Sequence, residues 1–192
     1  MDAYRDRIDL DEVWAEALPL RVAGAETLRM ASHHLIVYLC EHALRPAHAF
    51  YKPLHLTDLA WVIANDRETP DWGRVADAAR RFGLGRMVYL GLLIVRDRTD
   101  APVPDEVLQT LRPARLTAGE RLFLRRALQG RSRPGTSYFV HLALRRTFFE
   151  KTRFLFRTIF PAREVASHHD PGNRWRGSLR RGVQTVRHAI GM

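Results

Sequence analysis

Nine histidines, one cysteine and one Asp-x-Asp pair are the residues whose types could do chemistry. His33 and His34 are adjacent, and helical neighbours one position apart do not face one another. His42 and His48 lie either side of Pro46. His168, His169 and Asp170 are ligating types in one short run, but no H-E-x-x-H or C-x-x-C spacing accompanies them. No metal site is therefore expected. Cys40 sits on an apolar stripe, where a thiol acts as a small core residue. There is no G-x-S-x-G elbow, no P-loop and no G-x-G-x-x-G. Gly83-Leu84-Gly85 falls between two helical patterns with no strand before it, so no dinucleotide site is expected. No residue of the chain is assigned as catalytic.

Asp9-Leu10-Asp11 is the motif that invites a mechanism. On a strand, carboxylates at i and i+2 point the same way and can share Mg²⁺ beneath a triphosphate. Here the pair runs straight into EVWAEAL, a helical pattern, so a helix cap is expected instead. Further on, Tyr138, Phe139, Phe148, Phe149, Phe154, Phe156 and Phe160 interleave with Arg145, Arg146, Lys151, Arg153 and Arg157. Single-stranded nucleic-acid platforms use that texture. A core helix with a wet face has it too, and both readings stay open.

The elements that must position these residues read as mostly helical. Asp9 or Asp11 caps a first helix through Val13, Trp14 and Leu18. Residues 19–30, with Leu20, Val22, Leu28 and Met30 around Gly24, predict a short hairpin. Ser32 then opens a helix whose stripe is Leu35, Ile36, Leu39, Cys40 and Ala43. Further helices are predicted over 54–64, after Asp71 or Thr69 up to a Gly83 cap, over 85–97, after Pro104, and after the Thr117-x-x-Glu120 capping box. RSRPGTS, residues 131–137, reads as a linker, and one long aromatic helix is expected over about 138–160. A basic amphipathic helix is expected last, with Leu179, Val183, Val186 and Ile190 on one face and Arg180, Arg181 and Arg187 elsewhere. The fold class is thus mainly α, a multi-helix bundle with one short β-hairpin. It divides into a helical subdomain, 1–130, and a basic helical extension packed on it, 131–192.

At 192 residues the chain is long enough to bury a sizeable core. No apolar run reaches ~18 residues, so no transmembrane helix is expected. With six acids and no apolar core among the first 20 residues, no secretory signal is expected, and the single cysteine fits a reducing cytoplasm. Residues 1–130 hold 18 basic and 18 acidic side chains, whereas residues 131–192 hold 13 and 3. The whole net charge of +10 therefore lies in the last third. Arg145, Arg146, Lys151, Arg153, Arg157, Arg180, Arg181 and Arg187 form a candidate basic surface for nucleic acid or an acidic partner.

One order of segments carries more than any single motif. It runs from DLDEVW (9–14), through the hairpin, to HHLIVYLCEHAL with His42 at its end. Lys52, HLTDLAWVI (55–63) with Asp58, DWGRVADAARRFGLGRMVYLGLLIV (71–95) and PVPDEVL (102–108) follow. From Asp9 to about Arg112 this resembles the C-terminal helical half of a bacterial family of uncharacterised nucleotidyltransferases. The resemblance implies transfer of a nucleotidyl group from a nucleoside triphosphate to an unknown acceptor, using Mg²⁺. It also implies that His42, Lys52 and Asp58 face the nucleotide. Members resemble other nucleotidyltransferases in a small sheet that bears a Gly-Ser turn and a Gly-x-Asp-x-Asp strand; the strand motif is not in these 192 residues, and Gly177-Ser178 falls in the predicted last segment, after the helical half. The expectation is a helical part that lacks the metal-binding carboxylates, from a truncated product, a misplaced start, or a protein that kept only the scaffold. Mg²⁺ is expected only with an intact catalytic half, on the same or a separate chain. The other reading is a non-enzymatic binding module working through its basic third.

Overall fold

The computed structural model describes residues 8–45, 48–50, 52–65, 70–133, 135–145 and 147–159. Among these the chain forms nine helices and one two-stranded antiparallel hairpin. It is mainly α, as the hydrophobic periods require. Two compact units are present. The first comprises residues 1–44 and 52–115, the second 45–51 and 116–192.

In the first unit, α1 (Leu10–Ala15) starts at Asp9, whose Oδ1 accepts from the Asp11 and Glu12 amides at 3.0 and 3.2 Å. That bond satisfies two of the four orphan donors of a helix start. Strands β1 (Leu18–Val22) and β2 (Ala25–Arg29) pair Val22 with Ala25 and Leu18 with Arg29. Ala23 and Gly24, both at positive φ, make the two-residue turn that suits the strand twist. The hairpin leaves Leu18, Val22 and Leu28 exposed.

Helix α2 (Ser32–Ala43) packs on α3 (Pro53–Asn65), α4 (Trp72–Arg81) and α5 (Gly85–Arg98). Ser32 is its first helical residue; Ala31 holds the cap position and supplies no side-chain bond. Helix α5 is central, because its face Met87, Val88, Leu90, Leu92, Ile94 and Val95 is buried. Asp71 caps α4, and Gly83 ends it at φ 64°, a conformation that glycine adopts without a Cβ clash. Helix α6 (Asp105–Leu111) begins after Pro104, which takes the cap position, and packs on α4 and α5.

In the second unit, α7 (Ala118–Leu128) opens with the full capping box of Thr117 and Glu120. Gly119 lies against Phe139, where an added Cβ would meet the Phe139 Cβ at 2.8 Å and two ring atoms at 2.9 Å. Thr136 and Ser137 are buried, and the Ser137 hydroxyl donates to the Arg45 carbonyl at 3.1 Å, so the end of the predicted linker is packed. The single helix expected over 138–160 is instead two, α8 (Tyr138–Ala143) and α9 (Phe148–Ile159). Thr147 and Glu150 explain the break. Each side chain accepts from the other's amide, a second capping box that starts a new helix. The break lets Phe154 of α9 lie over α8, against Tyr138, His141 and Arg145.

Candidate functional site

A polar cluster in the first unit joins the end of α1, the start of α2 and one face of α4. Glu16, the residue that closes α1, turns its carboxylate toward α2. The Nε2 atoms of His33 and His34 both meet its Oε2, at 2.7 and 2.8 Å. Arg74 of α4 pairs with the same oxygen at 2.7 Å. Arg81 pairs with Glu12, and Glu12 Oε1 lies 3.9 Å from His34 Nε2. His33 and His34 are buried, and His34 stacks on Phe82 at 5.8 Å.

Adjacency in sequence gave no hint of this convergence. The two rings approach to 4.1 Å because they sit in the first turn of α2, where no preceding turn constrains their rotamers. A distant carboxylate supplies the common target. The signal in sequence would have been Glu16 itself, an acid at the last turn of a short helix, where the dipole disfavours it.

Burial pushes the His33 imidazole below its ordinary value, against the hydrogen bond to Glu16. Burial acts to raise the Glu16 carboxyl, but the His33 bond, the Arg74 charge and the His34 bond together hold it below its ordinary value. Both shifts have the same sign for stability. A depressed imidazole weakens the fold once pH falls below 6.5, where the unfolded chain takes the proton first. A depressed carboxyl loses its contribution as pH falls through 4.5. Glu16 is one-third exposed, so its share is the smaller. We expect the urea midpoint, measured in chelating buffer, to fall from neutral pH to about pH 5. His33→Gln should flatten the upper part of that fall; an unchanged slope would deny the histidine its role.

The residues that the sequence singled out lie at the α2–α3 corner. His42, in the last turn of α2, stacks on Tyr38 at 5.7 Å and meets His55 of α3 edge-on at 5.5 Å. Asp58 lies one turn beyond His55 on the same face of α3 and is half-buried. Lys52 is exposed immediately before α3, and its carbonyl accepts the His55 amide at 3.2 Å. The corner thus gathers the elements that carry all three candidates, and adds His55.

Asp9 caps α1 and Asp11 lies in its first turn. The pair does not make the two-carboxylate strand site that Mg²⁺ needs under a triphosphate. Cys40 is buried, and burial pushes its thiol far above its ordinary value, as a core residue requires.

Of the predicted basic surface, Arg145 covers the Phe154 ring at 5.2 Å, Lys151 is half-buried and Arg153 is exposed on α9. Arg157 lies in α9. Arg146, Arg180, Arg181 and Arg187, with the predicted last helix, lie outside the described residues. Phe148, Phe149 and Phe156 are exposed. A second basic surface was missed. Arg125 and Arg126 of α7, with Arg131, Arg133, Gln129 and Leu122, line a cleft of about 390 Å³. Charge counting divided it, since Arg125 and Arg126 fall in the neutral stretch 1–130 while Arg131 and Arg133 open the basic stretch 131–192.

The sequence profile of a family described as Uncharacterised nucleotidyltransferase matches residues 2–100. The match covers just over half of the chain and runs from α1 through the hairpin to the end of α5. The chain belongs to this family. No curated protein and no solved structure matches it. The Glu16–His33–His34 cluster and the α2–α3 corner both lie within the segment matched to the uncharacterised nucleotidyltransferases. No helix among the described residues is long and apolar enough to cross a membrane.

Proposed function

We propose that this chain is the helical, nucleotide-facing part of a nucleotidyltransferase-like protein. It would serve transfer of a nucleotidyl group from a nucleoside triphosphate to an acceptor. The metal-binding carboxylates and Mg²⁺ would come with a catalytic half. Membership of the uncharacterised nucleotidyltransferase family carries this reading. The α2–α3 corner supports it: Lys52 offers a point charge to phosphate, Asp58 orients the ligand, and His42 lies across from α3. Leu10 and Trp14 of α1 and Leu18, Val22 and Leu28 of the hairpin stay exposed, as a surface that packs on a further domain would.

The test is a calorimetric titration of nucleoside triphosphate against the full chain and Lys52→Ala. A charged contact is worth about 1.5–3 kcal/mol, so the variant should bind about tenfold more weakly or worse. Equal affinities would remove Lys52 from the site. The arginine-lined cleft of the second unit favours a second reading, a module that binds nucleic acid or an acidic partner. Repeating the titration with oligonucleotide across a salt series separates the two, because backbone binding falls steeply with log salt.

A further inference from the structure

We propose that Glu16, His33 and His34 form a binding site for one transition-metal dication of the zinc class. Successive residues of a helix point about 100° apart, so two consecutive imidazoles do not meet on one atom by default. Here both Nε2 atoms reach Glu16 Oε2, at 2.7 and 2.8 Å, and the three donor atoms lie within 4.8 Å of one another. Two imidazole nitrogens and one carboxylate oxygen are the donor set of an open, three-ligand zinc site. Such a nitrogen-rich set suits zinc, cobalt or nickel and not Mg²⁺. The site therefore stands apart from the Mg²⁺ chemistry of nucleotidyl transfer.

The surroundings fit a metal in three ways. First, both imidazoles are buried and fixed, His34 against Phe82 and His33 against His34, so little side-chain freedom remains to be lost on binding. Second, Glu12 Oε1, 3.9 Å from His34 Nε2, offers a further oxygen at the rim. Third, the cluster opens to solvent through Glu16 and Arg74, whose side chains are 33% and 52% exposed, which gives an ion a way in.

Arg74 distinguishes a metal site from a plain hydrogen-bond network. Its guanidinium sits on the same carboxylate oxygen that a metal would take. In the metal-free state it supplies the positive charge that the carboxylate demands. A dication binding there must displace it, and its exposed side chain can swing into water. Removing Arg74 should therefore strengthen metal binding, whereas removing a true ligand should weaken it.

The experiment titrates Co²⁺ into the full, tag-free, chelator-treated chain and follows visible absorption, with Zn²⁺ as competitor. One equivalent should bind with a tetrahedral cobalt spectrum that Zn²⁺ abolishes. His33→Gln and Glu16→Gln should each weaken binding at least about tenfold, and Arg74→Ala should tighten it. Circular dichroism identifies any variant that fails to fold, and Arg74→Ala, at an exposed position, keeps the test decisive. No cobalt binding by the wild-type chain would overturn the proposal. So would binding that survives unchanged in both ligand variants, which would place the ion elsewhere, or Arg74→Ala binding no tighter than wild type.

Discussion

Phe123→Ala is expected to destabilise the second unit by about 3–5 kcal/mol. The ring is fully buried on α7, one turn from the buried Glu120 and one turn from the buried Ala127. The described residues of this unit bury few apolar side chains: Ala49, Phe50, Phe123, Ala127 and Val140. Deleting one of its two buried phenylalanines removes much of that core and leaves a cavity which the capped helix α7 cannot close without tilting. Urea unfolding followed by far-ultraviolet circular dichroism measures the loss. A cost under about 1 kcal/mol would mean that the ring is not the anchor of α7. Leu122→Ala, on the half-buried side of the same helix, should cost much less.

The fold was legible wherever one local rule decided it. Asp9, Asp71 and Thr117 are caps because a short side-chain oxygen before an apolar period answers the orphan amides. Gly24 and Gly83 mark a turn and a helix end because the chain needs positive φ there. Helix α5 is buried over Met87–Val95 because that stretch is almost wholly apolar. Where two local rules competed, the sequence was harder to read. Residues 138–160 keep a helical period throughout, yet Thr147 and Glu150 form a capping box inside it. A box that falls mid-period looks like two ordinary helix residues until the chain bends back and Phe154 covers α8.

The site was legible in a different way. His42, Lys52 and Asp58 were candidates by resemblance alone, and their places follow from the chain: the last turn of α2, the residue before α3, and α3 itself. The Glu16–His33–His34 cluster could not be named. Its carboxylate and imidazoles are 17 and 18 positions apart, separated by a hairpin, and the pairing depends on how α1 meets α2. Long-range convergence of this kind has no period and no fixed spacing. The arginine cleft was hidden for a related reason, since a net charge counted along the chain is blind to which face of a helix holds it.

Gly91→Ala is expected to cost the first unit about 1–3 kcal/mol, although alanine is the better helix former. The added Cβ would stand 2.7 Å from Cys40 Sγ, 3.1 Å from its Cβ and 3.5 Å from its Cα. Both residues are buried where α2 crosses α5, so neither helix can yield without moving the other. Helix α2 carries His33 and His34 at its start and His42 near its end, so the crossing also fixes both clusters. The double variant Gly91→Ala/Cys40→Ala removes the sulfur and with it the closest contact. It should recover part of the loss, giving a coupling of about 0.5–3 kcal/mol between the two positions. Additive losses would mean that the crossing is slack. A coupled recovery would mean that glycine stands at 91 because two helices must touch there, which is how a residue without a side chain comes to position the histidines at either end of α2.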